Sequence, residues 1–461
     1  LLLSKKSASL VVVRGRRRIG KSRLIEEFAK DKRFIRFSGI PPTEDVTDQS
    51  QRDVFAKQLG DQLGLPGLQA ADWSDLFTLL ANQTRGGRVI ILFDEISWMG
   101  SKDPTFLGKL KNAWDMEFKK NNELILILCG SVSTWIQKNI IKSTAFFGRI
   151  SRYINLEELP LEDCNQFLET EGFRGSVYEK FKVLVVTGGL PWYLEQIQAT
   201  LNADENIKNL CFRKDGILVN EFDLIFHDLF TRKSEIYKKI IETLAKGSLE
   251  FNKIYQELNY PKSGILSDYL EELIQAGFVT RDFTWLIKTG KGSRLSHFRL
   301  SDNYLRFYLK YVAHNLDKID RDEFKDISMS TLSGWDSIMG FQFENLVLKN
   351  RKKVRKILEI KPEDVVVDNP FFQRKTANQP GCQIDYLIQT RFNVLYACEV
   401  KFSRKEITSD IIKEMKDKLE RLTMPKGFAC CPILIHVNGV NDGVLESNYF
   451  SNVIDFSELL T

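Results

Sequence analysis

The residues of this chain best suited to do chemistry are Gly15-Arg16-Arg17-Arg18-Ile19-Gly20-Lys21-Ser22, which fit the spacing G-x-x-x-x-G-K-[ST]. Glycines at both ends let a loop close around an anion. Backbone N–H groups at the start of the following helix then offer it partial positive charge. Lys21 is placed to reach the β- and γ-phosphates of a nucleoside triphosphate, and the Ser22 hydroxyl to ligate Mg²⁺. Gly15 through Ser22, with Arg23 behind them, are therefore the predicted nucleotide-binding residues. The flanking sequence supplies the elements that would position them. Leu10-Val11-Val12-Val13 reads as a buried strand, and Arg23 to Lys30 puts apolar groups at helical spacing.

A second chemical pair follows at Asp94-Glu95, where the apolar run Val89-Ile90-Ile91-Leu92-Phe93 ends in two carboxylates. Asp94 would hold Mg²⁺ through water, and Glu95 would orient or deprotonate the attacking water. Taken alone, such a pair also reads as a helix cap; downstream of the glycine loop, the phosphoryl-transfer reading takes over. The run Glu123 to Gly130 delivers Ser131 to a strand end in the same way, either as a sensor of the γ-phosphate or as a helix N-cap. Helices are expected at Gln51–Leu63, Ser74–Asn82 and Val132–Lys138. Arg149, after Phe146-Phe147-Gly148, is either an arginine finger, acting in its own chain or on a neighbouring copy of a homo-oligomer, or a surface residue.

The bulk numbers bound the reading. At 461 residues the chain exceeds one core, and about 150 residues per domain suggests three. A net charge of +5 is too small for this length to argue for nucleic-acid binding by itself, so only local basic clusters can. Seven cysteines without a C-x-x-C pair predict a reducing, cytoplasmic setting and no structural zinc. No apolar run approaches the ~20 residues of a membrane span, and no signal peptide is recognisable. The start at Leu1, without a methionine, points to a natural N-terminus further upstream.

In the last third, Ile384–Ile388 and Val394–Lys401 read as two strands joined by a turn, carrying Asp385 and Glu399 side by side. Lys401, two residues past Glu399, falls on the same face. Two carboxylates can hold a hard divalent cation, and a lysine beside them can stabilise charge on a reacting phosphate. Glu344 interrupts an otherwise apolar helix at Gly340–Leu348. The alternative is a sheet whose ends carry solvated charges. Lys349 to Lys356 places six positive charges within eight residues, enough to steer a phosphate backbone or simply to form a solvated face.

The middle reads as helices with a hairpin. Leu161–Gly172, Val177–Thr187 and Trp192–Leu201 are amphipathic. Ser234–Ala245, Phe251–Leu258 and Ser263–Ala276 precede a hairpin through Gly290-Lys291-Gly292, the layout of a winged helix. Its third helix bears Asp268, Glu271 and Glu272 with only Lys262 near its start. Any DNA contact is therefore expected through the wing residues Arg281, Lys288, Lys291 and Arg294, a packing module being the alternative. The aromatics of Ser301–Val312 recur at helical spacing and predict core, and Asn315–Asp326 reads as a linker.

The ordered set Gly15–Ser22, Phe37-Ser38-Gly39-Ile40-Pro41-Pro42, Phe93-Asp94-Glu95, Cys129-Gly130-Ser131 and Gly188-Gly189-Leu190-Pro191 resembles the archaeal-type ATPases of the AAA+/STAND group. These are relatives of the origin-recognition ATPases that carry a winged helix and, in many bacteria and archaea, a nuclease-like C-terminal domain. The resemblance implies an α/β P-loop NTPase core (1–158), a helical lid (159–230), a winged helix (231–314), a linker (315–329) and a restriction-endonuclease-like α/β domain (330–461). It also implies that Pro191 and Trp192 lie close to ATP. Members usually carry a Phe-x-Gly-Arg-x-x-Glu stretch before the first strand that helps to seat the base, and none precedes Ser9. The C-terminal constellation is similar to the PD-(D/E)xK nucleases, with Asp385 as first acid, Glu399 and Lys401 as E-x-K, and Glu344 as helix acid. That resemblance implies a Mg²⁺ site on Asp385 and Glu399, and DNA or RNA as partner.

Overall fold

Apolar runs rich in Val, Ile, Leu and Phe make five strands among the described residues of the first 157: β1 (Ser9–Gly15), β2 (Arg33–Ser38), β3 (Val89–Asp94), β4 (Ile125–Ser131) and β5 (Ile150–Leu156). All neighbours pair in parallel, in the order β2-β3-β4-β1-β5. β1, β3 and β4 are buried almost throughout, as strands covered by helices on both faces must be. One face packs an aromatic cluster around Phe37, Phe55, Trp73, Phe77, Phe93 and Phe106. The other packs Val11, Val13, Ile90, Leu92 and Ile127 under Ile25 and Ala29 of the helix Lys21–Ala29. The computed structural model describes residues 2–131, 134–230, 234–260, 264–377 and 379–460, in two units, Leu1–Glu157 and Glu158–Thr461.

β2 is an edge strand, and an edge leaves backbone N–H and C=O groups open to another chain. Three glutamines of the helix Asp48–Leu63 close it. Gln62 accepts from Arg36 N at 2.9 Å and donates to Arg36 O at 2.7 Å. Gln58 does the same for Ser38 at 2.8 and 3.1 Å, and Gln51 for Ile40 at 3.1 and 2.8 Å. Positions 51, 58 and 62 share one helix face, while residues 36, 38 and 40 point alike along the extended chain. A row of side-chain amides thus replaces a sixth strand and fixes β2 along its length.

In the second unit, helices Leu161–Thr170, Val177–Thr187, Ala203–Cys211 and Glu221–Phe230 come first. The expected helix Trp192–Leu201 is only Pro191–Leu194, because Asn206 holds the Gln198 backbone N–H and C=O and turns the chain. Next come Ser234–Ala245, β6 (Leu249–Glu250), Phe251–Glu257, Gly264–Gln275, β7 (Val279–Leu286) and β8 (Lys291–Leu300), the strands pairing antiparallel as β6-β8-β7. Lys262 and Ser263, like Val132 in the first unit, lie outside the described residues.

The hairpin β7–β8 does more than project. Trp285 Nε1 donates to Gln389 at 2.6 Å, Gln389 returns a bond to Ile287 O at 2.8 Å, and Thr284 donates to Phe372 O at 3.1 Å. Trp285 and Ile287 are buried in the core of the last sheet. That sheet has the order β13-β12-β11-β10-β9, built from β9 (Val365–Gln373), β10 (Cys382–Thr390), β11 (Val394–Phe402), β12 (Ala429–Val437) and β13 (Asn452–Asp455). β9, β10 and β11 run antiparallel, and β11, β12 and β13 parallel.

Two expectations change here. The stretch predicted as a linker is packed: Leu316–Asp320 is helical, and Ile319, Phe324 and Met329 are buried. Sparse apolar residues at irregular spacing hid that contact from a periodicity argument. The basic run 349–356 is broken at Asn350, which caps a separate helix Arg351–Ile357. Its charges are largely engaged, Lys349 with Glu158 (2.7 Å), Lys353 with Glu162, and Arg355 and Arg351 around Asp368. The aromatics Tyr304, Phe307, Tyr308 and Tyr311 are buried, as predicted.

Candidate functional site

The C-terminal ends of β1, β3 and β4 lie side by side, with Gly15 level with Ser131, so three loops meet at the edge where parallel sheets bind ligands. The first loop needs its glycines. A Cβ on Gly15 would come within 2.9 Å of Leu156 O and 2.8 Å of Ile19 Cγ2, and Gly20 has φ +88°. Arg16 and Ile19 are buried, Arg17 and Arg18 half-buried, and Arg18 also takes a left-handed backbone, φ +68°. Lys21 is buried, and its ammonium donates to Gly15 O and Arg16 O, both at 3.0 Å. Arg23 is exposed on the helix.

Ser22 Oγ donates to Asp94 Oδ2 at 3.2 Å, which joins the end of β3 to the first turn of the helix after the loop. A hydroxyl and a carboxylate so placed are hard oxygen donors suited to Mg²⁺, with phosphate oxygens completing its shell. Glu95 follows in a left-handed conformation (φ 50°, ψ 50°), a strained state that costs about 1–3 kcal/mol and is characteristic of functional positions. Its carboxylate accepts from Ser131 Oγ at 3.3 Å and Ser131 N at 3.4 Å. Burial raises its pKa above the ordinary carboxylate range, against the pull of Lys21 and the Ser131 bonds and with the push of Asp94. Arg149 forms a two-pronged pair with Asp115, Nε–Oδ1 3.0 Å and Nη2–Oδ2 2.8 Å. That contact holds Asp115 well below the usual carboxylate range. Pro191 opens the short helix Pro191–Leu194 of the second unit.

In the second unit β10 and β11 bring Asp385 and Glu399 together one step beyond the paired Tyr386 and Cys398, and Asp385 Oδ2 accepts from Val400 N at 3.0 Å. Lys401 contacts Glu399 at 3.1 Å and Glu414 at 2.8 Å. A second lysine, Lys418 of the helix Asp410–Arg421, spans the two acids, pairing with Glu399 and lying 3.6 Å from Asp385. Glu344, on the helix Trp335–Lys349, is close enough for Asp385 and Glu399 to act on its charge. Burial, with Asp385 next, raises it to about 8; burial, with Glu399 next, raises Asp385 to about 6. Among the described residues no three His, Cys, Asp or Glu side chains are grouped to hold a metal ion. The Lys418 ammonium lies between Asp385 and Glu399. The helix carrying Lys418 packs its apolar residues Ile411 and Met415 against the same core as Ile384 and Leu387 of β10.

The pattern at the first site is matched by sequence comparison. Residues 1–197 match the model of an ATPase domain predominantly from Archaea. The chain is also 25% identical over 351 residues to the uncharacterized protein MJECL04 of Methanocaldococcus jannaschii, covering 75% of this chain and 73% of that one. Among solved structures, the Walker-type ATPase PABY2304 of Pyrococcus abyssi aligns with a TM-score of 0.47 at 18% identity, over 65% of this chain and 90% of that one. The Aeropyrum pernix ORC2 protein in its ADPNP-ADP complexes gives 0.41 at 15%, over 70% and 91%. No helix among the described residues is long and apolar enough to cross a membrane.

In the first unit, sequence reasoning missed Arg36, whose Nη2 lies 2.7 Å from Asp94 Oδ2. An arginine in an apolar strand was the available signal. In the second unit it missed Lys418 and Glu414, which look like any charges on an exposed helix face. The burial of Glu344 has a measurable consequence. Between the ordinary carboxylate pKa near 4.3 and about 8, the folded chain holds a proton that the unfolded chain has lost, so stability falls as pH rises through that window. Glu344→Gln removes this penalty. Its melting temperature relative to the parent should therefore climb between pH 5 and pH 9; a difference constant with pH would show that Glu344 carries no such burden.

Proposed function

We propose that the chain binds and hydrolyses ATP at the β1–β3–β4 edge and couples this to a winged-helix and nuclease-like C-terminal half that acts on nucleic acid. The Ser22–Asp94 hydrogen bond beside the half-buried Glu95 carries this reading. The loop N–H groups and Lys21 hold the phosphates, Lys21 exchanging its bonds to Gly15 O and Arg16 O for phosphate oxygens. Ser22 and Asp94 would hold Mg²⁺, which supplies charge neutralisation on the phosphates. Glu95 positions the attacking water and accepts its proton, while Ser131 fixes the carboxylate until then. Arg149 serves as a finger only where a phosphate outcompetes Asp115. Multiple-turnover, Mg²⁺-dependent release of phosphate from ATP is the test. A single turnover per binding event would make the nucleotide a switch instead.

The antiparallel trio β6-β8-β7 behind three helices supports the winged-helix reading. One face of its hairpin is spent on the last sheet, while Lys288, Lys291 and Arg294 remain exposed. Arg281 is drawn back to Ser296 at 3.0 Å and lies over the Phe283 and Phe298 rings. Changing Lys288, Lys291 and Arg294 to glutamate should weaken DNA binding and flatten its salt dependence by roughly one unit of slope per lost phosphate contact. An unchanged slope in a salt titration would remove the wing from the DNA surface.

For the last domain, the adjacent Asp385 and Glu399 with Lys401 support a PD-(D/E)xK nuclease reading. The ammonium of Lys418 between the two acids favours a second one, a catalytically silent domain that receives the nucleotide signal. Cleavage assays on DNA and RNA with Mg²⁺ or Mn²⁺, with and without ATP, separate the two.

A further inference from the structure

Asp94 has a partner that the phosphate-binding pattern does not specify. Arg36 leaves the edge strand β2 and reaches Asp94 Oδ2 at 2.7 Å with one guanidinium nitrogen and Glu26 Oε1 at 2.7 Å with another. The backbone at Arg36 is itself clamped, its N–H and C=O both held by Gln62. Glu26 stands four residues after Ser22 on the same helix, one turn further from the phosphate loop. The guanidinium therefore meets Asp94 beside Ser22 but is anchored on the side away from the loop. Asp94 is nearly saturated: Oδ2 accepts from Ser22 and Arg36, and Oδ1 from Glu95 N at 3.2 Å. The Cys129 thiol bonds the carboxylate as well, and together these contacts hold it in one orientation. We infer that Arg36 is a positioning residue for Asp94, fixing the carboxylate so that it can accept from a water on Mg²⁺ without displacing the arginine.

This arrangement has a cost that suggests function. A guanidinium bound to a buried carboxylate adds positive charge close to where a dication is needed, which by Coulomb repulsion weakens cation binding. Glu26 offsets that charge from the far side. Arg36, Glu26 and Asp94 thus alternate in sign and give Mg²⁺ an oriented ligand. Lysine in place of Arg36 keeps the charge but not the planar fork that spans two carboxylates.

The inference rests on the ATP reading above, and the test keeps the two apart. Binding of the fluorescent analogue mant-ATP to the full chain is measured across a Mg²⁺ titration, for the parent, Arg36→Gln, Arg36→Lys and Glu26→Gln. Arg36→Gln should raise the Mg²⁺ concentration needed for half-maximal tightening roughly tenfold, the weight of one charged hydrogen bond. Arg36→Lys should recover part of this, and Mg²⁺-free binding should stay at the parent value. Glu26→Gln, which frees Arg36 without touching Asp94, should shift the Mg²⁺ midpoint in the same direction and carries the test if Arg36→Gln melts below the assay temperature. A parent that binds mant-ATP with no response to Mg²⁺ overturns the ATP-site reading. A parent that responds, with Arg36→Gln and Glu26→Gln titrating as it does, overturns the role of Arg36.

Discussion

Lys21→Ala should lose tight ATP binding, by roughly 100-fold or more, because it removes the charged hydrogen bonds to the phosphates, each worth about 1.5–3 kcal/mol. Glu95→Gln should keep parent-like binding and lose about 10²–10⁴-fold in hydrolysis, the range for a positioned general base. The split follows from where the two side chains stand. Lys21 is wrapped into the loop that receives the phosphates, whereas Glu95 is held back on Ser131 at the end of β4. Burial raises the Glu95 pKa, and a base works only when ionised. Hydrolysis should therefore fall on acidification at a higher pH than an exposed carboxylate would give. Equilibrium binding and steady-state phosphate release at several pH values test all three statements, and a Glu95→Gln enzyme at the parent rate would remove Glu95 from the reaction.

Lys418→Met should be the most damaging change in the second unit. It leaves Asp385 and Glu399 side by side without the ammonium between them, while Lys401 pairs with Glu399 and Glu414. Breaking a fully buried ion pair by deleting one partner typically costs about 3–5 kcal/mol, an upper bound here because Lys418 is half-buried. The loss should appear in urea unfolding at pH 7 and shrink towards pH 5, where protonation relieves the raised Asp385 carboxyl. Adding Asp385→Asn to Lys418→Met should recover part of the loss by removing one of the two charges. Mn²⁺ should also restore stability if a cation can take the place of the ammonium, the condition the nuclease reading requires. Unfolding of Lys418→Met at the parent urea concentration would mean that the acids need no lysine between them.

Much of the first unit was written locally. The G-x-x-x-x-G-K-S spacing, the apolar run before it and the helical spacing after it concern consecutive residues whose backbone conformation is set by glycine and by side-chain period. The Asp94–Glu95 pair at the end of a run of five apolar residues was legible for the same reason. So were Glu399 and Lys401, because strand alternation puts them on one face, with Asp385 joining them across the β10–β11 hairpin. Partners distant in sequence were not legible. Gln51, Gln58 and Gln62 look like ordinary polar residues until the helix lies along β2, and Arg36 and Lys418 look like solvated charges until Asp94, Asp385 and Glu399 are folded against them. The hairpin tells the same story, for Trp285 and Ile287 alternate like any wing and only docking on Phe371 and Gln389 makes them core. The sequence by itself determined which residues could carry phosphate, metal and proton chemistry, since type and period are properties of neighbours along the chain. Only the tertiary structure decided which charges neutralise one another, because an ion pair depends on a few ångströms between elements that are brought together by burying apolar surface.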